Sequence, residues 1–126
     1  MNEQKILFSI ITSPTHPNFS SLYSELGISE IIIDSMRKSI GKLKKQQPDY
    51  IVAEFAYAYS SNYQAIHTSN LDVLLHSLKK YSPESKVIVL VKKDELEYVG
   101  HIKEIFPLHA ILSYPVNESQ FRELLQ

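Results

Sequence analysis

Apolar residues in this chain follow two rhythms. Short, nearly continuous runs occur at ILFSII (6–11), EIIID (30–34), YIVAEF (50–55), KVIVLV (86–91) and HAILSY (109–114). Their length and β-branched content mark strands, and near-continuous apolarity is what a strand buried on both faces requires. Between the runs, apolar residues recur every three or four positions, the spacing of one helix face. FSSLYSELG places Phe19, Leu22, Tyr23 and Leu26 on such a face and ends at Gly27, a stop signal. SMRKSIGKLKKQQ predicts a helix with Ser35 as N-cap and Met36, Ile40 and Leu43 inward, stopped by Pro48; its late lysines suit the negative end of the helix dipole.

The second half repeats the alternation. SNLDVLLHSLKKYSP opens with Ser69 and carries Asp72 three residues on, a variant of the capping box, with Leu71, Leu74, Leu75 and Leu78 as its stripe. DELEYVGHIKEIF offers Leu96, Val99, Ile102 and Phe106, weakened in the middle by Gly100. NESQFRELLQ closes the chain as a short helix with Asn117 or Glu118 near its cap. Strand then helix, five times over with short loops, predicts an α/β fold: one domain over residues 1–126, a parallel sheet with helices on both faces. Functional groups of such sheets gather at the carboxyl ends of the strands. That edge should carry Thr12, Ser13 and His16, then Asp34, then Glu54 and a tyrosine-bearing loop, then Val91, Lys92 and Lys93, then Tyr114.

Composition narrows the function classes. Thirteen basic and fourteen acidic residues leave a net charge of −1, which gives no reason to expect nucleic acid or an anionic membrane as the main partner. Cysteine is absent, so disulfides, thiolate metal sites and cysteine nucleophiles are excluded. MNEQKILFSIIT holds too short an apolar run for a signal peptide, and nothing approaches membrane-spanning length; a cytoplasmic location is expected.

Three segments carry a family resemblance. PDYIVAEF resembles the Pro-Asp-strand-Asp segment of response-regulator receiver (CheY-like) domains, KVIVLVKKDE resembles their fourth strand, and AILSYPV resembles their fifth strand and following proline. The resemblance covers nearly the whole chain. It implies a flavodoxin-like, five-stranded parallel sheet of order 2-1-3-4-5 and a cis bond before Pro115.

The family's chemical residues are replaced together. Its phosphoacceptor aspartate falls on Glu54, and the acidic pair that holds magnesium falls on Ile10 and Ile11. Its switch threonine or serine falls on Val91, its aromatic switch position on Ile111, and its lysine on Tyr114. Forming an acyl phosphate needs a placed carboxylate, a cation to neutralise the phosphoryl oxygens, and usually a fixed ammonium. Two isoleucines cannot ligate magnesium, which wants oxygen. Glutamate is longer by one methylene, a displacement of about 1 Å that can cost ~100-fold. The resemblance therefore implies an atypical receiver without aspartyl phosphorylation. Glu54 as a permanent phosphate mimic lacks the threonine and lysine through which a mimic acts. A structural anion is the preferred reading, paired with Lys92 or accepting a hydrogen bond from Tyr114, His16 or Tyr57.

The same edge holds residues that other chemistry would use. His16, Glu54 and His67 could suit zinc, but they lie on separate elements without motif spacing, so no metal is expected. Tyr57, Tyr59 and Tyr63 could form a stacking platform for a small ligand, together with His16, His67 and Lys92. Glycines only at 27, 41 and 100 make no phosphate loop, and the expected role of the tyrosines is to cover the strand ends near Glu54. No serine sits in a nucleophile elbow. His76, His101 and His109 read as surface, boundary or strand-entry residues.

The expectation is thus a stand-alone, non-enzymatic signalling or adaptor domain of two-component type, without cofactor, acting through protein contacts. Its partner face is the fourth helix, fifth strand and fifth helix, about 94–126, with Tyr98, His101, Ile105 and Phe121 as contact residues and a homodimer as one form. The competing class is a ligand-binding or enzymatic α/β domain using Glu54, Tyr57, His67 and Tyr114.

Overall fold

The computed structural model describes residues 4–58 and 68–126, and of Tyr57, Ala58 and Thr68 the backbone only. Its centre is β1 (Lys5–Ile10), paired in parallel on one side with β2 (Ile28–Ile33) and on the other with β3 (Tyr50–Glu54). Between them come α1 (Ser20–Glu25) and α2 (Met36–Leu43). A two-stranded antiparallel ribbon, β4 (Tyr57–Ala58) with β5 (Thr68–Ser69), follows β3 and leads into α3 (Asp72–Tyr81). Then come β6 (Lys86–Val91), a 3-10 turn (Lys93–Tyr98), α4 (Gly100–Lys103), β7 (Ala110–Ser113) and α5 (Glu118–Leu125). The sheet runs β2-β1-β3-β6-β7, all parallel. With the ribbon set aside this is the expected order 2-1-3-4-5 of the flavodoxin-like, receiver-type fold.

Alternation along each strand explains the nearly continuous apolar runs. Phe8, Ile10, Ile51, Ala53, Val87 and Val89 point to the face covered by α2, α3 and α4, where Leu43, Leu74, Leu75, Leu78 and Ile102 meet them. Leu7, Tyr50, Val52, Ile88 and Leu90 point to the other face, against Leu22 and Tyr23 of α1 and Phe121 and Leu125 of α5. Each central strand has two apolar faces because both are covered. No helix among the described residues is long and apolar enough to cross a membrane.

Local signals placed most boundaries. Ser35 caps α2, its hydroxyl accepting from the Lys38 N–H at 3.1 Å. Asn117 and Gln120 form a reciprocal capping box on α5. Gly27, at φ +76°, ends α1 in the left-handed region that glycine tolerates.

Three expectations need correction. The stretch after β3, read as a plain loop, begins and ends in the ribbon. The third helix starts at Asp72 rather than Ser69: Ser69 donates to Asp72 through its N–H (3.1 Å) and its hydroxyl (2.6 Å), and its oxygen accepts from the Leu71 N–H. The fourth helix is broken into a 3-10 turn and one α turn, joined at Val99 and Gly100, which turns Leu96 outward (47% exposed) while Val99, Ile102 and Phe106 stay buried.

Candidate functional site

The segment after β1 is organised by its own sequence. Pro14 sits second in the turn Ser13-Pro14-Thr15-His16, closed by the His16 N–H donating to the Ser13 carbonyl at 3.3 Å. The Thr15 N–H donates to the Ser13 hydroxyl at 3.2 Å. The turn brings both hydroxyls to the same place, the carboxylate of Glu54.

Glu54 is the last residue of β3, at the switch point where the chain leaves β1 toward opposite sides of the sheet. It is 7% exposed. Ser13 Oγ donates to its Oε1 at 2.6 Å, while Thr15 Oγ1 (2.5 Å) and the Tyr114 hydroxyl (2.6 Å) both donate to Oε2. The two hydroxyls of the turn also approach each other at 2.7 Å. Three hydroxyl protons thus serve four close contacts, and with the carboxylate ionised the Ser13–Thr15 contact is the one without a proton. Burial by itself would raise the pKa of Glu54; the donors Ser13, Thr15 and Tyr114, with the nearby His16 charge, overcome it and hold the carboxyl below its ordinary value. Conversely the Tyr114 phenol is pushed up, by burial first and then by its bond to the anion. Tyr114 reaches this position from the end of β7, and the Tyr114–Pro115 peptide is cis.

His16 lies beside this cluster and a second one. On β2, Glu30 accepts from Ser9 of β1 at 2.6 Å and from Ser20 of α1 at 2.5 Å. Burial lowers the pKa of His16, against the pull of Glu54 and Glu30. Its Nδ1 is buried with no hydrogen-bond partner among the described residues. Next to Glu30, the Tyr23 phenol is raised by burial and by that carboxylate, less the effect of its bond to Ser9. Ser9 and Glu30 interrupt strands that are mostly apolar, and Ser20 is one of three serines on α1, so sequence patterning passed over all three.

Several expected residues stand elsewhere. Glu54 takes hydroxyls rather than Lys92 as partners; Lys92 is exposed, where an ammonium keeps its hydration. Ile10 is fully buried at the end of β1, and Ile11 continues the ladder by donating its N–H to Ile33 at 2.8 Å. Val91 is buried at the end of β6, and Ile111 is half-buried on β7 against the α2–α4 side of the core. Phe121 cannot serve as a contact residue: it is 0% exposed, packed on Phe19 at 4.8 Å and Tyr23 at 6.5 Å between ring centres. Its position on α5 points at the sheet, where an aromatic ring removes much apolar area from water. His101 is no simple surface residue. Its Nε2 lies 3.1 Å from Asp72 Oδ1 and its Nδ1 3.1 Å from the Tyr98 carbonyl, joining α4 to the start of α3. Tyr98 and Ile105 are half-buried. Tyr59, Tyr63 and His67, and the side chain of Tyr57, lie outside the described residues, so the tyrosine cover and any part of His67 in a metal site fall there too. Among the described residues no group of three or more His, Asp or Glu side chains is arranged to hold a metal ion.

Asn70 was missed by sequence reasoning. Its amide donates to the Glu54 carbonyl at 2.8 Å, its oxygen accepts from the Ala56 N–H at 2.7 Å, and its own N–H donates to the Ala56 carbonyl at 3.1 Å. The residue pins the backbone just beyond Glu54 from sixteen positions away, so no local pattern announces it.

No protein-family model matches this chain, and no curated protein matches it by sequence. Solved structures do match in fold. A CheY-like response-regulator receiver domain from Methanospirillum hungatei JF-1 superposes with a TM-score of 0.71 at 14% identity, covering 98% of this chain and 91% of that one. The receiver domain of a sensor histidine kinase from Pseudomonas aeruginosa PAO1, with a magnesium ion in its active-site cleft, gives 0.71 at 10% identity over 98% and 96%. A Burkholderia pseudomallei response regulator carrying a phosphorylated aspartic acid and a calcium ion gives 0.68 at 15% identity, over 97% of this chain and 66% of that one. The fold of this chain is that of CheY-like receiver domains.

Proposed function

We propose that the chain is a receiver-like signalling domain that works through protein contacts, without aspartyl phosphorylation and without catalysis of its own. The observation that supports this reading is the state of Glu54. At the position where the resemblance puts the phosphoacceptor, the carboxylate is 7% exposed and both oxygens are engaged by Ser13, Thr15 and Tyr114. A phosphoryl group would have to displace these bonds, and buried Ile10 beside it offers no oxygen for a divalent cation. With its own hydroxyl donors, Glu54 ties the first loop to the ends of β3 and β7, a role for a carboxylate that needs no ligand. The partner face in this proposal runs from the 3-10 turn through α4 and the segment after it to β7 and α5, with Tyr98, His101 and Ile105 as its contact residues.

The test is fluorine NMR of the full chain with beryllofluoride and millimolar magnesium. No bound-fluoride signal is expected. A stable beryllofluoride adduct at Glu54 would overturn the reading and restore phosphoryl chemistry to this edge.

A further inference from the structure

The far side of the sheet carries a feature that the receiver reading does not use. β2 pairs with β1 on one side, and among the described residues no strand pairs with its other side. An open strand edge presents unpaired N–H and C=O groups, a template for another strand. Here the edge is also apolar. Ile32 is 61% exposed, and Ile31, Ile32 and Ile33 line an open groove of about 370 Å³ whose other walls are Asp34, Lys38 and Lys42.

Charge says what would fit it. Residues 34–45 hold five cations, Arg37, Lys38, Lys42, Lys44 and Lys45, against the single anion Asp34, a local charge of +4. The whole chain has a net charge of −1, so the remainder carries −5. Lys38 and Lys42 are four residues apart and share one face of α2, the face on the groove. Lys38 is held by Asp34 at 3.0 Å, but both side chains are about 70% exposed, and such a pair exchanges partners at little cost. Lys42 makes no ion pair among the described residues.

We infer that the β2 edge is a second docking surface, and that its occupant is an extended acidic segment of a partner protein, added to the sheet as a sixth strand. Main-chain pairing along β2 supplies the affinity, alternate apolar side chains enter the Ile31–Ile33 groove, and carboxylates on the segment meet Lys38 and Lys42. A second copy of this chain is a poor occupant, because edge-to-edge docking would set Lys38 and Lys42 of one copy against those of the other. Nucleic acid or an anionic membrane would use the lysines but neither the strand edge nor the apolar floor.

The experiment is NMR titration of the full chain with three probes: an acetylated, amidated peptide of alternating Glu and Val, the same peptide with Lys for Glu, and the acidic peptide N-methylated at every residue, which removes the donors of both strand edges. Expected are amide shifts confined to residues 28–34 and α2 with the acidic peptide, saturating below about 1 mM, and no binding of the other two. The exposed double variant Lys38→Glu/Lys42→Glu should weaken the acidic peptide at least about tenfold. The proposal is overturned if the acidic peptide does not bind at about 1 mM, or if the N-methylated peptide binds equally well. It is also overturned if a short DNA duplex or phosphatidylserine vesicles displace the acidic peptide, which would make the surface a general anion site.

Discussion

Glu54 and Asp34 occupy comparable places and have opposite fates. Each stands at the carboxyl end of a strand that flanks β1, Glu54 ending β3 and Asp34 directly following β2. Glu54 is buried and receives three neutral hydroxyl donors; Asp34 is exposed and takes its single cation, Lys38, from the next turn of chain. Both carboxyls are held below their ordinary pKa, for different reasons: Lys38, through its hydrogen bond and then its charge, holds Asp34, whereas oriented hydroxyls hold Glu54 against burial. The difference comes from rank in the sheet. β3 is central, so loops from both sides close over its end; β2 is an edge, so its end stays in water. A carboxylate at a central strand end becomes part of the structure, and one at an edge remains part of the surface.

The sharpest way to break this comparison is to remove the central carboxylate. Glu54→Ala leaves the Ser13, Thr15 and Tyr114 hydroxyls without their acceptor and should cost about 2–3 kcal/mol in urea denaturation, while Glu54→Gln, which keeps one oxygen, should cost about 1 kcal/mol. If Glu54→Ala unfolds at the same urea concentration as the parent, the network is decoration and the comparison collapses.

A smaller effect tests one donor. Tyr114→Phe removes a hydroxyl from Oε2 and should cost about 1 kcal/mol. It should also move the Glu54 pKa up toward its unfolded value. Because the folded value lies below the unfolded one, this stabilisation is complete above the unfolded carboxyl pKa and is lost as pH falls through the folded value. Tyr114→Phe should therefore lose its carboxylate-linked stability at a higher pH than the parent, read from urea midpoints taken across the acid range. An unchanged acid profile would show that Tyr114 does not hold the anion.

Least of all should follow at the edge. Asp34→Ala is expected to leave the urea midpoint unchanged within error, in low salt and in 1 M salt, because the Asp34–Lys38 pair is exposed and screened. A loss comparable to that of Glu54→Gln would mean that edge and centre do not differ as argued.

Much of the fold was readable because its signals are local. Strand runs, helix stripes, the Ser35 and Asn117 caps and the Gly27 stop each act within a few residues of themselves. The family resemblance also directed attention to Glu54. Its donors were only partly legible. Tyr114 was among the partners considered, but Ser13 and Thr15, 41 and 39 residues away, carry no pattern that distinguishes them from other loop hydroxyls. Asn70 and the Asp72–His101 contact were unreadable for the same reason.

By itself, then, the amino-acid order determined which segments become strands or helices and that the central strands must be covered on both faces, because periodicity and capping are short-range physics. Tertiary structure decided which polar groups meet. It turned Phe121 inward and Leu96 outward, set Glu54 under the Ser13–Thr15 turn and left Asp34 in water. Those outcomes depend on the order of strands in the sheet, and that order is the sum of many long-range contacts, none of which any single segment encodes.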